Sequence, residues 1–577
     1  MKLLITDNNK VYLETSVEKK LLLGNGLISK CSFLSENQLT LFNSHLNGIE
    51  ARAAELMIEE LKKTLDLCPD FIVNPFLKTR NKKDIAYSLL YSNFKKFVLL
   101  KHQLILTLNA FFSQFLSVEI SSIEIELSEK YSLFEIGDLK NVTVSKLKFY
   151  NDLNSIKLKW YKNLYYLFFN LFLSKRISSK TNKKQLLLVL FDTFNDLDLF
   201  KKFFKIVENS TDVHLNIVQI KSGISKEQSH SIDHLKSENI SCYQIEEFRS
   251  FVKHTNSDFY SKIKNINPKY AVFEKNGLNE NLEIYYSYFN TIFKKLKPDV
   301  CVNDNTGEIG RALADVSRFY QKPSVNVEYG LFSDDAIHME SNIQYSVRAC
   351  LGQSGIDVWK KRNDPSLQHT AIGFLKLEDL DLSLFNKQAF FEKNNLLVTS
   401  KTLFFASTWG GTNELYNEEK KAIVLQIAET AKEKNWNFII KKHPAETDRF
   451  LEECLASFPY EHIKVFQHPE INLYEALTYS DYITTQFSSI SVEALYCKKP
   501  TIFFNLSTEN SFVDQLTMKD EFFIFSVKNK QEFEEKLNFI EENSLQISSE
   551  IEKATEKYLF KTDSNSSERL LDLLKNI

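Results

Sequence analysis

From residue 185 onward the chain keeps one rhythm: apolar runs of four to eight residues, each followed by a polar turn and then by apolar positions at helical spacing. Such runs, buried on both faces and separated by helices, are what a parallel sheet built from βα units requires. The candidate strands are QLLLVLFD, VHLNIVQI, PDVCVND, PSVNVEY and SVRACLG, with TAIGF at 370–374 a further one. A polar stretch around 376–395 then interrupts the pattern. Beyond it a second series reads KTLFFAST, WNFIIKK, HIKVFQ, DYITTQ and PTIFFN, with helices such as EEKKAIVLQIAETAKEK and INLYEALTYS between the strands. Two successive open α/β sheets facing each other across a cleft are expected, with ligands at the carboxyl ends of the strands. The final stretch, FEEKLNFIEENSLQISSEIEKATEKYLFK, reads as helices bracing the two halves.

Residues 1–180 lack this rhythm. After the short β-like pieces KLLIT and VYLETS comes a helical stretch, HLNGIEARAAELMIEELKKTLDL, and then Phe-rich, helix-like segments through residue 117. The pattern predicts a mainly helical accessory domain over 1–180, for acceptor binding, oligomerisation or membrane contact. A Rossmann-like domain over 181–385 on the acceptor side follows, and a second over 386–577 on the donor side, with the C-terminal helices.

A chain of 577 residues is too long for one hydrophobic core. With 43% hydrophobic and 25% charged residues it has the composition of a globular protein. Lys+Arg 72 against Asp+Glu 75 leaves a net charge of −3, which gives no electrostatic footprint for nucleic acid. The 7 cysteines form no CxxC pair and fit a reducing compartment. The N-terminus, interrupted by Asp7, does not read as a signal peptide, so a cytoplasmic protein is expected. The apolar part of residues 160–184 is shorter than the roughly 20 residues a spanning helix needs. Its aromatics followed by Lys175, Arg176, Lys180, Lys183 and Lys184 fit either a helix packed on the next domain or a peripheral contact with the inner face of the membrane.

The chemistry concentrates in loops that follow strands. In STWGGTNE, residues 407–414, Gly410 and Gly411 let the backbone approach a ligand, Thr408 offers a hydroxyl, and the next helix presents free N–H groups to phosphate. In IIKKHPAETD, residues 439–448, His443 leaves a strand end after Lys442, and Pro444 suits the first position of a helix. A donor imidazole there stabilises a phosphate that gains charge as its bond breaks. In SDYITTQFSSISVEAL, Ser488, Ser489 and Ser491 are each able to cap the following helix; capping accounts for one serine and not for several. Two hydroxyls and free helix N–H groups make a compact anion site, and Glu493, one turn in, suits ribose hydroxyls better than phosphate.

The order HP, then a YEAL-like helix, then SDYITTQFSSISVEAL, then KKPTIFF resembles the C-terminal, nucleotide-binding half of GT-B glycosyltransferases. It is similar in particular to bacterial surface-polysaccharide enzymes: the HP-motif sialyltransferases, the Kdo transferases of capsule synthesis and the CDP-glycerol glycerophosphotransferases. The motifs cover about 439–505. The resemblance implies that His443, Ser488 and Ser489 hold the donor phosphate, and that an acidic residue of the first α/β block is the general base. In PDVCVNDNTGEIGRALA, Asp304 and then Glu308 are the candidates, in a loose likeness to the acidic motif of the sialyltransferases. Asp304 serves equally as a helix cap. In VEYGLFSDDAIHME the residues Glu328, Tyr329, Asp334 and Asp335 are expected to line the acceptor pocket or to solvate a long loop; the glycerophosphotransferases have a His–Gly pair where Tyr329 and Gly330 stand.

The resemblance thus implies a metal-independent transferase with no cofactor beyond its nucleotide-sugar donor, moving a CMP-activated, Kdo- or sialic-acid-like sugar to a glycan or glycolipid acceptor such as capsule or lipopolysaccharide. The alternatives are a polyol-phosphate transferase of the CDP-glycerol type, an isomerase similar to UDP-GlcNAc 2-epimerases, and a non-catalytic glycan-binding subunit. DLDL at 379–382 has the spacing of a metal-holding DxD but lies in the polar connector. His468 with Pro469 is a second HP, ranked below His443. HExxH, Walker A and GxGxxG patterns do not occur.

Overall fold

The structure is a computed structural model. Besides isolated positions it describes residues 2–6, 19–24, 27–32, 94–115, 122–128, 144–150, 182–191, 199–221, 232–246, 280–304, 307–330, 343–361, 366–408, 414–506 and 516–577, less 445, 447, 457, 468 and 487. The aromatic and basic stretch at 160–180 lies outside the described residues, as does most of the helical stretch expected at 45–67.

In the N-terminal region the strands are β1 (Lys2–Thr6), β2 (Lys19–Gly24), β3 (Leu27–Cys31), β4 (Ser122–Ser128) and β5 (Val144–Tyr150), with helix α1 (Phe94–Phe115) between β3 and β4. They form a five-stranded sheet of order β3-β2-β1-β4-β5. Only β2 and β3 run antiparallel. Apart from KLLIT, this sheet is more than the sequence pattern anticipated. In β4, SIEIELS, Ile123, Ile125 and Leu127 are buried and the glutamates between them are half-buried, so the segment carries the alternation of a one-faced strand and no continuous apolar run.

The middle region reads β6 (Lys184–Phe191), α2 (Lys201–Glu208), β7 (Val213–Lys221), β8 (Ile240–Glu246), α3 (Glu280–Leu296), β9 (Val300–Asn303), α4 (Glu308–Phe319), β10 (Ser324–Val327), β11 (Val347–Cys350), α5 (Gln353–Lys361) and β12 (Gln368–Ala371). Its seven strands are all parallel, in the order β12-β11-β10-β9-β6-β7-β8. Strands β9, β10 and β11 are buried along their whole length, as their apolar runs require. The expected strand at 370–374 lies earlier, in β12, because Gly373 turns the backbone to φ 92 and ends the run.

Two 3₁₀ turns, Leu375–Leu377 and Leu382–Leu384, and helix α6 (Lys387–Lys393) lead to the last sheet. It comprises β13 (Thr402–Ala406), α7 (Glu414–Lys434), β14 (Asn437–Lys441), α8 (Phe450–Leu455), β15 (Ile463–Phe466), α9 (Leu473–Tyr479), β16 (Tyr482–Thr485), α10 (Ile490–Tyr496), β17 (Thr501–Phe504) and β18 (Ile524–Val527). The six strands are parallel, ordered β15-β14-β13-β16-β17-β18. Both sheets are therefore doubly wound, the architecture of two Rossmann-like units expected from the rhythm of the chain.

Helices α11 (Lys530–Glu542), α12 (Ser544–Leu559) and α13 (Ser566–Asn576) carry the chain back to the middle sheet. Lys184 Nζ donates to the carbonyls of Lys575 (2.8 Å) and Ile577 (3.0 Å), a cation at a helix C-terminus. Arg569 Nε donates to Ile372 O at 2.7 Å, and the Ser567 N–H donates to buried Glu378 at 2.8 Å. Apolar side chains from both sheets and from these helices, including Leu188, Val302, Phe405, Ile502, Ile551 and Leu570, belong to one continuous core. The bracing role read from the last segment is what the structure has.

Candidate functional site

In a doubly wound sheet a crevice opens where the strand order reverses, outside the carboxyl ends of the two strands at that point. In the last sheet these are β13 and β16, and in the middle sheet β6 and β9. The residues that follow β13 are Ser407 and Thr408, those that follow β16 lead to Ser488 and Ser489, and Asp304 directly follows β9. Topology alone thus selects four of the residues that the motifs selected: Asp304, Thr408, Ser488 and Ser489.

Ser488 is half-buried, and its Oγ accepts the Ile490 N–H at 3.2 Å, so this hydroxyl closes the first turn of α10. Ser489 is exposed, is the N-cap residue by backbone position, and makes no side-chain capping bond. Capping therefore uses one serine and leaves the Ser489 hydroxyl facing outward. A Cβ built on Gly330, in the loop after β10, would stand 3.9 Å from both Cβ and Oγ of Ser489. The loop of the middle sheet and the serine pair of the last sheet thus meet. Tyr329, beside it, is 49% exposed.

His443 follows β14, next to β13, and is exposed on the same edge. The protein mass around its ring desolvates it and pulls the imidazole below its ordinary pKa; Glu446 opposes this, while Lys441 and Lys420 add to it. An NMR titration is expected to place the His443 pKa below about 6.5, the ordinary histidine value, and a midpoint at or above that value would contradict the desolvation.

The turn itself is held by a residue that the sequence reading passed over. Glu446 is 5% exposed. One of its oxygens accepts the His443 backbone N–H at 2.7 Å, while the Glu446 N–H donates back to the His443 carbonyl at 2.9 Å. Its other oxygen takes Ser407 Oγ at 2.9 Å and the buried ammonium of Lys420 on α7. The signal was present as the fourth residue of HPAE, a carboxylate three positions after the residue whose N–H it caps, as in a capping box.

Several expectations change. Lys442 is 2% exposed and its Nζ is bonded to the Asp448 carbonyl and to Glu452 of α8, at 3.1 Å from Oε1. Alternation along β14 turns it away from the face of Lys441, so its ammonium is engaged within the sheet's flank and not at a donor phosphate. Glu493 is buried and paired with Lys376 of the connector at 3.3 Å. Lys441, half-buried, feels both charges: burial chiefly, then Lys376, lower its pKa, and Glu493 and Glu446 raise it. Glu328 is buried, and its Oε2 accepts the Leu351 N–H at 2.8 Å and packs where Gly355 leaves room at the start of α5. It is tied to the scaffold and does not line an open acceptor pocket. Asp381 of the DLDL stretch caps its own 3₁₀ turn through the Ser383 N–H, and Asp379 pairs with Lys205. Among the described residues no His/Cys/Asp/Glu group is arranged to hold a metal ion.

Asp304 is 6% exposed at the end of β9, beside the fully buried Asn303. Glu308 is the first residue of α4, and Thr408 is buried after β13. Pro444 is half-buried in the His443 turn. Gly410, Gly411, Asp334, Asp335 and His468 lie outside the described residues. A hollow of about 550 Å³ lies at the connector, lined by Glu378, Asp381, Tyr496, Lys498, Thr555 and Ser564, on another part of the surface from the strand ends. No helix among the described residues is long and apolar enough to cross a membrane.

Residues 383–576 match the model of the CDP-glycerol:poly(glycerophosphate) glycerophosphotransferase family. The matched stretch contains Thr408, His443, Ser488, Ser489 and Glu493, and the chain is an enzyme of the transferase class. No curated protein matches the chain by sequence. Solved structures similar to it include the S. aureus MnaA–UDP co-structure, with 13% identity over 68% of this chain and 96% of that chain at a TM-score of 0.45. The UDP-GlcNAc 2-epimerase from Neisseria meningitidis bound to UDP-GlcNAc has 14% identity over 68% of this chain and 100% of that chain, at 0.46. A variant of the wall teichoic acid polymerase TagF has 11% identity over 72% of this chain and 96% of that chain, at 0.42.

Proposed function

We propose that the protein transfers a polyol phosphate from a CDP-glycerol-type donor to a hydroxyl at the end of a cell-surface polymer. The observation that carries this reading is the glycerophosphotransferase match over 383–576, which takes in every candidate donor residue of the last sheet. It favours the polyol-phosphate alternative over the CMP-activated sugar that the HP and serine motifs first suggested.

In this reading the acceptor oxygen attacks the phosphorus that bears the polyol, the bond from that phosphorus to the bridging oxygen breaks, and CMP leaves. Asp304, at the end of β9, takes the hydroxyl proton. His443 and the Ser489 hydroxyl meet the charge that gathers on the departing phosphate. Lys441 adds positive charge at this edge, next to the buried Glu493–Lys376 pair. A sugar transferase is the second reading, favoured by exposed Tyr329 at the place where the polyol-phosphate enzymes have histidine.

The test is a panel of CMP-, CDP-, UDP- and GDP-activated donors, scored for nucleotide release with and without a polymer acceptor. Acceptor-dependent release of CMP from CDP-glycerol is expected. Release from a CMP-sugar in its place selects the second reading, and interconversion of a UDP-sugar without release overturns both.

A further inference from the structure

We propose that Glu446 is the positioning residue of the donor site, fixing the His443 turn against the loop after β13 and thereby aiming the imidazole at the donor phosphate. The inference rests on the reading that His443 meets that phosphate.

Three structural elements converge on this one carboxylate. The His443 N–H and the Glu446 N–H close the turn in both directions, at 2.7 and 2.9 Å. Ser407, the first residue beyond β13, donates its hydroxyl at 2.9 Å, and Lys420 of α7 supplies the counter-charge. Side-chain exposures of 2% for Lys420 and 6% for Glu446 put the pair out of reach of screening by solvent. A backbone bond from the Ser407 N–H to the Lys441 carbonyl, at 3.0 Å, already sets the two chain segments side by side, and the carboxylate ties both of them to α7. With the carboxylate in place, the loops after β13 and β14, neighbouring strands of the last sheet, share one rigid anchor.

A buried ion pair that serves folding alone is the competing explanation, and the two differ in what they move. Removing one partner of a buried pair leaves the other charge uncompensated and lowers stability under either explanation, so melting does not discriminate. A positioning role shifts the properties of His443. Glu446→Gln keeps the shape and removes the charge; Glu446→Asp keeps the charge and shortens the reach, and serves if the first variant folds poorly. Glu452→Gln is the control, since it removes an equal charge whose partner, Lys442, lies on the other face of the strand line from His443.

The experiment follows the His443 imidazole by NMR, identified by its loss in His443→Ala, together with hydrogen exchange of the peptide that contains the His443 amide. In Glu446→Gln the midpoint is expected to fall, since Lys441 and Lys420 then act on the ring without the opposing carboxylate, and the amide to exchange at least about tenfold faster. With the donor identified by the panel, kcat is expected to fall about tenfold or more with donor KM within about threefold, because a small misplacement of a group that acts in the transition state costs rate before affinity. Unchanged titration and exchange in both Glu446 variants, or equal changes in Glu452→Gln, overturn the proposal. If the wild-type enzyme releases nucleotide from none of the donors, the functional reading fails by that result, and the titration and exchange still decide the role of Glu446.

Discussion

His443→Ala is expected to lower turnover by about 10²–10³-fold, the loss found when one donor to a developing oxyanion is removed, with the fold retained. The fold is expected to persist because the turn is closed by backbone groups and Glu446, and because the ring stands exposed at the strand end. The pH dependence of stability gives a second readout. The folded-state pKa of His443 lies below its unfolded value, so the neutral ring's contribution is present above about 6.5 and is lost as pH falls toward the lower, folded value. Removing the ring removes that proton uptake. The melting temperature of the variant should therefore fall less than that of the wild type between pH 8 and pH 5. Turnover within threefold of wild type would remove His443 from the chemistry, whatever the melting curves show.

The two parallel sheets were legible because their central strands are buried on both faces. VCVN, TLFFA and TIFF are short, wholly buried and mostly apolar, with a polar residue only at one end of each, and turn residues bound them, which is the mark of a strand covered on both faces. Strands β8 and β18 escaped the pattern, and both are edge strands. In β8, ISCYQIE, residues 241–244 are half-buried and polar residues interrupt the run, while in β18 Ser526 points to solvent. An edge strand needs only one covered face and one ladder partner, so its sequence carries less of the signal.

The site divided in a similar way. His443, Ser488 and Ser489 stand out in the sequence because they occur at strand ends beside a helix start, and the structure places them at those ends. Lys442 is grouped with His443 because the sequence does not show side-chain direction, and Glu446 is passed over. Residues 441 and 443 lie on one face of the strand line and 442 on the other, so neighbours in an apparent basic motif have opposite fates. Glu446, which the motif contains but does not advertise, ended up against Ser407 and Lys420, residues 39 and 26 positions away in the chain. Glu493 shows the same limit: its partner Lys376 belongs to the connector, 117 positions distant, and no local pattern announces that pair.

The facing of the two sheets depends on how the C-terminal helices dock, and a point where backbone meets backbone in that docking is Gly352, between β11 and α5. A Cβ at this position would lie 2.5 Å from the Lys557 carbonyl oxygen and 2.7 Å from the carbonyl carbon and oxygen of Tyr558, at the end of α12. Contacts below about 3 Å with backbone cannot be relieved by a rotamer change. Tyr558 is fully buried, with its hydroxyl bonded to the Thr517 carbonyl and to Glu521, so that end of α12 has little freedom to withdraw. Gly352→Ala is therefore expected to cost about 1–3 kcal/mol, as overpacking does, seen as a calorimetric midpoint several degrees lower. Because the contact joins the middle sheet to the helices of the last one, the strain is transmitted to the strand ends that face each other at Gly330 and Ser489. Turnover measured well below the new midpoint should fall as well, whereas a cavity-making change in the N-terminal sheet, such as Ile125→Val, should leave it unchanged. A Gly352→Ala protein with wild-type midpoint and wild-type turnover would mean that α12 shifts freely on the middle sheet, and that the helices cover the two halves without setting how they face.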